Sequence, residues 1–257
     1  MLKKILAMAF VLAATTFIYA NTAKALQVIT DGLVSYWTFN KADVKGDVAK
    51  DIWGHNDGTI KGCKQTEGKV GEALEFDGKS NFVEVPYDKS LDFSASYTIE
   101  AWIFQNIEKG SGCRIVDKCT AGTTDGYCFD TYPGRKLRLC AASDCISADT
   151  NFNINEWHHV VVTFNKRDVK FYLDGKPDGG RAAPGDMSTN ALPLRIGYCA
   201  GDALCSTEYF SGVIDEVRVY DRALNQNEVK QNMSAEGLAV ERLDKLAVTW
   251  GDIKSSS

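Results

Sequence analysis

Carboxylates, histidines and cysteines are the residues of this 257-residue chain that could do chemistry. A retaining glycosidase needs two carboxyl groups about 5 Å apart. On a strand that means acids at i and i+2 or i+4, on one face. No such run occurs; the nearest, Asp215-Glu216…Asp221, sends adjacent acids to opposite faces. Acids from separate strands could still meet. His158-His159 fails as a chelate for the same reason, and His55 stands beside no Ser or Cys motif. Asp215 is more telling. It shares parity with Val213, Val217 and Val219, the expected core side, while Ile214 breaks the alternation. A β-bulge is therefore expected near Asp215-Glu216. An inward carboxylate needs a cation or several donors. Calcium would supply it, with oxygen ligands at about 2.3–2.6 Å drawn from Asn40, Asp43, Asp51 and Asn56. The alternative is an ion pair of Asp215 or Glu216 with Arg218 or Arg222.

The eight cysteines are Cys63, Cys113, Cys119, Cys128, Cys140, Cys145, Cys199 and Cys205. They form an even set without a C-x-x-C pair, and the three histidines are poorly placed to complete a zinc site. In an exported chain this reads as disulfides. Two pairings have a geometric reason. Cys128 and Cys140 lie equidistant from Gly134, so a hairpin turning at Pro133-Gly134 sets them face to face. Cys199 and Cys205 bracket a short loop. Cys63, Cys113, Cys119 and Cys145 are expected to be oxidised too, in pairings the sequence leaves open.

Sugar is commonly held by aromatic faces laid on the apolar side of a pyranose ring. Trp53, Tyr132, Tyr198 and Tyr209 are the loop aromatics that would serve. Asp202, inside the Cys199–Cys205 loop, would add a polar contact. Loops on a rigid scaffold are where binding functions sit.

The elements that must position these residues are strands. Leu33 to Phe39, Ala73 to Phe76, Phe82 to Val85 and Tyr97 to Gln105 come first. In Tyr97–Gln105, Ile99, Ala101 and Ile103 face one side and Trp102 and Phe104 the other, as in a central strand. Cys113 to Lys118, Gly126 to Thr131 and Lys136 to Ala141 follow. Glu156 to Lys176 then reads as an antiparallel hairpin: His158, Val160, Val162 and Phe164, a turn at Asn165-Lys166-Arg167, then Val169, Phe171 and Leu173. Asp174-Gly175 is the dipeptide of a type I′ turn. Leu192 to Gly197 and Tyr209 to Tyr220 complete the β part. The spacing predicts one helix, Asn225 to Met233, with Asn225 and Glu228 as a capping box and Leu224 and Val229 as a hydrophobic staple. Residues 40–61 read mostly as loop.

Four of these stretches, in this order, resemble the LamG-like jelly-roll domains of the concanavalin A-like lectin/glucanase superfamily. They are Asp51-Ile-Trp-Gly-His-Asn-Asp-Gly-Thr, Gly71-x-Ala-Leu-x-Phe-Asp-Gly leading to Phe82-Val-x-Val-Pro86, Glu156 to Lys176, and Ile214-Asp-Glu-Val-Arg-Val-Tyr-Asp-Arg-Ala-Leu224. The resemblance spans about residues 30 to 235. It implies a two-sheet antiparallel β-sandwich of about a dozen strands with one short C-terminal helix. It also implies glycan or glycoprotein recognition without catalysis, and a structural calcium held by Asp215, Asn40 and Asp51. Two alternatives remain: an adhesive surface or matrix protein that binds protein, and a glycoside hydrolase like the superfamily's glucanases.

The N-terminus reads as an export signal. Lys3-Lys4 precedes the apolar run Ile5–Ala14, and Ala23-Lys24-Ala25 is an A-x-A cleavage site. The expected plan is a signal peptide at 1–25, a binding domain at 26–237 and a tail at 238–257. The chain would be secreted, periplasmic or displayed at the cell surface. With 29 basic against 34 acidic residues and a net charge of −5, nucleic acid and anionic membranes are poor partners. No second apolar run is long enough to insert in a bilayer.

Overall fold

Alternating apolar residues, cut by turns, give strand after strand along this chain. The computed structural model describes residues 27–235, apart from 111, 121–124, 143, 184, 186, 202–204 and 206. The expected leader at 1–25 and tail at 238–257 lie outside the described residues. In chain order the strands are β1 (Leu33–Trp37), β2 (Val44–Lys45), β3 (Val48–Ala49), β4 (Gly58–Lys61), β5 (Lys64–Glu67), β6 (Glu72–Asp77), β7 (Phe82–Val85), β8 (Tyr97–Gln105), β9 (Cys113–Cys119), β10 (Gly126–Thr131), β11 (Leu137–Ala141), β12 (Asp144–Ser147), β13 (Trp157–Phe164), β14 (Asp168–Leu173), β15 (Lys176–Ala182), β16 (Leu194–Ile196) and β17 (Ser211–Tyr220). Helix α1 spans Gln226–Ser234. The expected dozen strands fall short because β2, β3 and β4 lie in the stretch read as loop, and β5, β12 and β15 are short or polar segments without a readable apolar alternation.

The strands form two antiparallel sheets. One has eight strands, in the order β15-β14-β13-β8-β17-β6-β5, with β1 also paired to β17. The other has nine, in the order β12-β11-β10-β9-β16-β7-β4-β3-β2. One apolar core lies between them. It takes Ile99, Ala101 and Ile103 from β8, Val160, Val162 and Phe164 from β13, Tyr127 and Phe129 from β10, and Leu194 and Ile196 from β16. This is the predicted β-sandwich. The central hairpin also forms: β13 and β14 pair from Val160↔Leu173 to Phe164↔Val169. Asp174 (φ 50°) and Gly175 (φ 71°) are both left-handed, as the type I′ turn into β15 requires. Helix α1 carries the predicted capping box on Asn225 and Glu228, and Leu224 and Val229 are buried in one cluster.

Strand β17 serves three neighbours. Ser211–Ile214 pairs with β6, the second half pairs with β1, and β8 runs along the other edge. The register against β8 shifts after Asp215, and Glu216 adopts φ 53°. The expected bulge is there, but it changes the faces. Ile214, Val217 and Val219 point into the core. The expectation that Asp215 shares the core side is therefore corrected. The extra residue restores apolar parity only after Glu216, and Asp215 lies on the outer face.

Beneath α1, on that outer face, a second apolar cluster of Tyr36, Val161, Tyr172, Tyr220, Leu224 and Val229 seals a polar network. Arg218, fully buried, donates to Glu100 at 2.8 Å, to Glu216, and to the Tyr36 hydroxyl at 3.1 Å. The Tyr36 hydroxyl in turn donates to Glu216. Asn232 of α1 donates to Glu100 and to the Tyr220 hydroxyl, each at 2.9 Å. Burial holds the Glu100 carboxyl above its usual range, although Arg218 acts to lower it. His159 lies against the Trp102 ring, with its Nε2 3.6 Å from Glu100 Oε2, too far for a hydrogen bond. Burial first, then the Arg218 charge, press this imidazole down to about 3, so it is neutral.

Removing one member of a buried ion cluster leaves an uncompensated charge and costs about 3–5 kcal/mol. Arg218→Met is expected to lose that much in urea unfolding; a loss near zero would mean the carboxylates are neutralised without it. His159 gives a pH dependence of known sign. Its folded pKa lies below its unfolded one, so its contribution is present near neutrality and lost as pH falls from about 6.5 towards 3. Relative to His159→Gln, the wild type should therefore lose up to about 1.4 kcal/mol per pH unit across that window. Parallel stability curves for the two proteins would refute a buried neutral imidazole.

Candidate functional site

The three residues expected to hold calcium do other work. Asp51 Oδ1 accepts from the backbone N–H of Tyr36, Trp53 and Gly54, and its Oδ2 accepts from Asn56. Asn40 Oδ1 accepts from Glu72 N at 2.7 Å. Asp215 Oδ2 accepts from Lys69 N and Val70 N, at 2.8 and 2.9 Å, and so anchors the turn before β6. Asp43 accepts from the Thr38 hydroxyl, and Asn56 donates to Ser35 and Ser90. Asp215 Oδ1 is buried without a partner, and burial, then Glu216, raise this carboxyl to about 8. These donors do not fit an oxygen cage. Among the described residues, the acids, thiols and imidazoles that crowd together in threes are Asp117, Cys119 and Cys128.

The expected aromatics point to a different place, the outer face of the nine-stranded sheet. Val83 and Val85, Leu194 and Ile196, and Tyr127 and Phe129 are core residues, so Phe82, Glu84, Arg195, Cys128 and Asp130 face outward. On β9 the register against β10 skips Ile115. That bulge turns both Arg114 and Asp117 outward while Ile115 and Val116 stay in the core. A ladder of charges crosses the sheet as a result. Arg138 reaches Asp130 through Nε at 2.8 Å and Nη2 at 2.5 Å. Arg114 meets Asp130 at 2.5 Å, Asp117 at 3.3 Å, and Glu208. Arg195 meets Glu84 at 2.7 Å. Burial opposes the Arg114 charge, but the Asp130, Asp117 and Glu208 carboxylates beside it act to raise its pKa, and it stays protonated.

The segment 197–210 crosses this face and is fastened to it. Gly197 (φ 85°) begins it; a Cβ there would strike the Phe76 ring. Arg195 Nη1 donates to Cys199 O at 2.9 Å, and Ala200 N donates to Asp117 Oδ1 at 3.0 Å. A Cys199–Cys205 disulfide closes the loop, as expected. Tyr198 and Tyr209, at its two ends, stack with centroids 3.8 Å apart and planes 4° apart. Phe82 lies 5.4 Å from Tyr198, and the Arg195 guanidinium lies over the Phe82 ring. Tyr132 joins from the other side, with Arg138 stacked over it at 4.2 Å. Three of the expected ligand-binding aromatics thus share one surface. Trp53 does not: it sits by β1, 43% exposed, donating to Leu33 O. Asp202 lies outside the described residues.

The expected Cys128–Cys140 bond is corrected. The two are opposite in the β10–β11 ladder, as the hairpin at Gly134 requires, but Cys140 is bonded to Cys145 on its other side. Cys140 has a cysteine neighbour on both flanking strands and is bonded to the one across the β11–β12 hairpin, at a Cα separation of 4.1 Å. The histidines are structural in geometry: His158 bridges Asp174 at 2.9 Å and Asn153 O at 3.0 Å.

Sequence reading missed Arg114, Asp117, Asp130, Arg138, Arg195 and Glu208. Arg114 and Asp117, three apart, fall on opposite faces of a regular strand, and only the bulge unites them. The alternation of Cys128 and Asp130 with Tyr127 and Phe129 was the available signal. Chemically, Asp117 is fully buried, and Asp130 is buried and held by two arginines. Glu208 alone of these three acids is partly exposed, and burial raises its carboxyl above the usual range. The face offers polar groups already paired among themselves, beside stacked rings.

Comparison with known proteins agrees with this architecture. A 78-residue stretch is 31% identical to adhesion G-protein coupled receptor V1 of Danio rerio, covering 29% of this chain and about 1% of that protein's length. Domain 4 of AbnA, a GH43 extracellular arabinanase from Geobacillus stearothermophilus solved with arabinotriose, superposes with a TM-score of 0.62 at 20% identity, over 78% of this chain and 98% of that domain. Trypanosoma rangeli sialidase superposes with a TM-score of 0.59 at 19% identity, over 80% of this chain and 33% of that one. At such identities the likeness is one of fold. Residues 77–230 match the family model of the concanavalin A-like lectin/glucanases superfamily, and the chain belongs to that superfamily.

Proposed function

We propose that this chain is a non-catalytic module that binds a carbohydrate, free or on a glycoprotein, outside the cell. The observation that carries the reading is the Tyr198–Tyr209 stack, set beside the half-buried Arg195, Glu84 and Glu208 on one sheet face. Aromatic faces cover the apolar side of a sugar ring, and paired charges hydrogen-bond its hydroxyls. Arg114, Arg138 and Arg195 stand against Glu84, Asp117, Asp130 and Glu208, so the face favours an uncharged sugar over an anionic one. That the AbnA domain was solved with arabinotriose supports a sugar as ligand class. The signal-like N-terminus supports export, and among the described residues no helix is long and apolar enough to cross a membrane.

A glycoside hydrolase is the second reading, favoured by Glu208 alone, whose raised pKa suits a general acid. Its prospective partners Asp117 and Asp130 are buried under the loop and the arginines, which leaves no accessible nucleophile among these three acids.

A glycan array probed with the purified protein, with and without EDTA, tests the proposal. A neutral oligosaccharide should bind. Tyr209→Ala should weaken it at least about tenfold, roughly 1.4 kcal/mol, while Trp53→Ala should leave it unchanged. EDTA should have no effect, since the expected calcium donors are committed to separate backbone turns. An empty array together with self-association on size exclusion would overturn the reading in favour of an adhesive role. Release of reducing ends from a bound glycan would overturn it in favour of hydrolysis.

A further inference from the structure

Four cysteine sulfurs lie on the outer face of the nine-stranded sheet, beside the site just described: Cys119, Cys128, Cys140 and Cys145 form one cluster. Cys140 and Cys145 are bonded to each other. The remaining two stand on adjacent strands. Cys119 opposes Gly126 and Cys128 opposes Asp117, so the cysteines are diagonal neighbours on one face of the β9–β10 ladder. Their sulfurs and an Asp117 carboxylate oxygen lie within 4.8 Å of one another. Both thiols are buried, and each faces a carboxylate: Cys119 Sγ is 3.8 Å from Asp117 Oδ2, and Cys128 Sγ is 3.5 Å from Asp130 Oδ2. The Arg114 guanidinium touches Cys128 Sγ. That contact argues against a metal ion, because a cation held by Asp117, Cys119 and Cys128 would face a fixed positive charge.

We infer that Cys119 and Cys128 form a third disulfide, next to Cys140–Cys145, so that one sulfur bridge ties β9 to β10 and the other ties β11 to β12. Diagonal partners on a sheet have Cα atoms about 7–8 Å apart, slightly beyond the usual disulfide span. Closing the bond therefore draws the ends of β9 and β10 together at Gly126, whose left-handed φ of 64° marks the start of β10. In the reaction both thiols lose their protons, one S–S bond forms, and the two electrons pass to an external disulfide. That oxidant, a small-molecule disulfide or the disulfide of an oxidoreductase, leaves as two thiols. The bridge lies beneath the Asp130–Arg114 part of the ladder and ties the two strands that carry it.

Peptide mapping decides the matter without a variant. Cleavage before Asp117, Asp125, Asp130 and Asp144 puts the four cysteines on four separate peptides, 117–124, 125–129, 130–143 and 144–148. Protein folded under a glutathione couple is denatured in acid, alkylated without reduction and digested. Peptides 117–124 and 125–129 should emerge joined, lighter than the reduced pair by two hydrogens. In Cys119→Ser, the 125–129 peptide should gain one alkyl group while 130–143 and 144–148 stay joined, and the melting temperature should fall by several degrees. Alkylation of both wild-type peptides, or linkage of 125–129 to 130–143, would overturn the assignment. So would zinc that co-purifies stoichiometrically and leaves both thiols alkylatable.

Discussion

A single buried guanidinium holds the eight-stranded sheet in register. Arginine keeps its proton under any condition in which a protein folds. Burying Arg218 therefore obliges the chain to bring carboxylates to it. Glu100 comes from β8 in the ladder directly opposite, and Glu216 comes from the bulge on β17 itself. Tyr36 from β1 adds its ring face and hydroxyl, and Asn232 from α1 completes Glu100. Elements far apart in the chain are thus tied to one charge. A one-residue slip of any strand would send its member to the opposite face and leave the charge exposed to apolar core. The left-handed Glu216 is the local strain that this arrangement requires.

The nine-stranded sheet repeats the theme with Arg114 and ends differently. Arg218 is closed over by α1 and its apolar cluster. Arg114 is closed over by the loop that Cys199 and Cys205 staple, and the ladder continues past that loop to Arg138, Arg195 and Glu84, which water still reaches. Pairing satisfies the charges, so the face is polar without a strong field. Such a surface gains little from binding ions; under the proposed function it would gain more from exchanging water for sugar hydroxyls. The stacked tyrosines supply the apolar contact that makes such exchange worthwhile.

The sequence made the scaffold legible and the floor of the site illegible. Strands β8, β13 and β14 alternate cleanly, Asp174-Gly175 names its own turn, and Asn225 with Glu228 names the helix start. Those signals are local. Tyr132, Tyr198 and Tyr209 were found because aromatics in loops are informative one at a time. The ladder beneath them is not local. Its members come from β7, β9, β10, β11, β16 and the segment before β17, and Arg114 and Asp117 share a face only through a bulge that no alternation rule shows. Asp215 failed for the same reason: the bulge was expected, but parity was counted across it as though the strand were regular. Cys128 and Cys140 were correctly placed opposite each other, yet a third cysteine competing for the same sulfur is a question of three strands, not of one hairpin.

What distinguishes the two outer faces is the length and stiffness of what covers them. Helix α1 sets Val229 and Asn232 over the Arg218 network and, with Leu224, Tyr172 and Tyr220, buries it, so the polar groups below become structural. A loop cannot do so, because its own backbone needs water or side-chain partners. The segment after Gly197 takes partners from the sheet at Arg195 and Asp117, pairs Glu208 with Arg114, and is stapled by its disulfide. Cross-linking removes conformational freedom that the loop would otherwise lose on binding. Tyr198 and Tyr209 are therefore presented already stacked, and a ligand ring would meet a surface that needs no rearrangement. Preorganisation by a stapled loop, on a sheet whose charges are already paired, is the physical basis of the binding role proposed for this face.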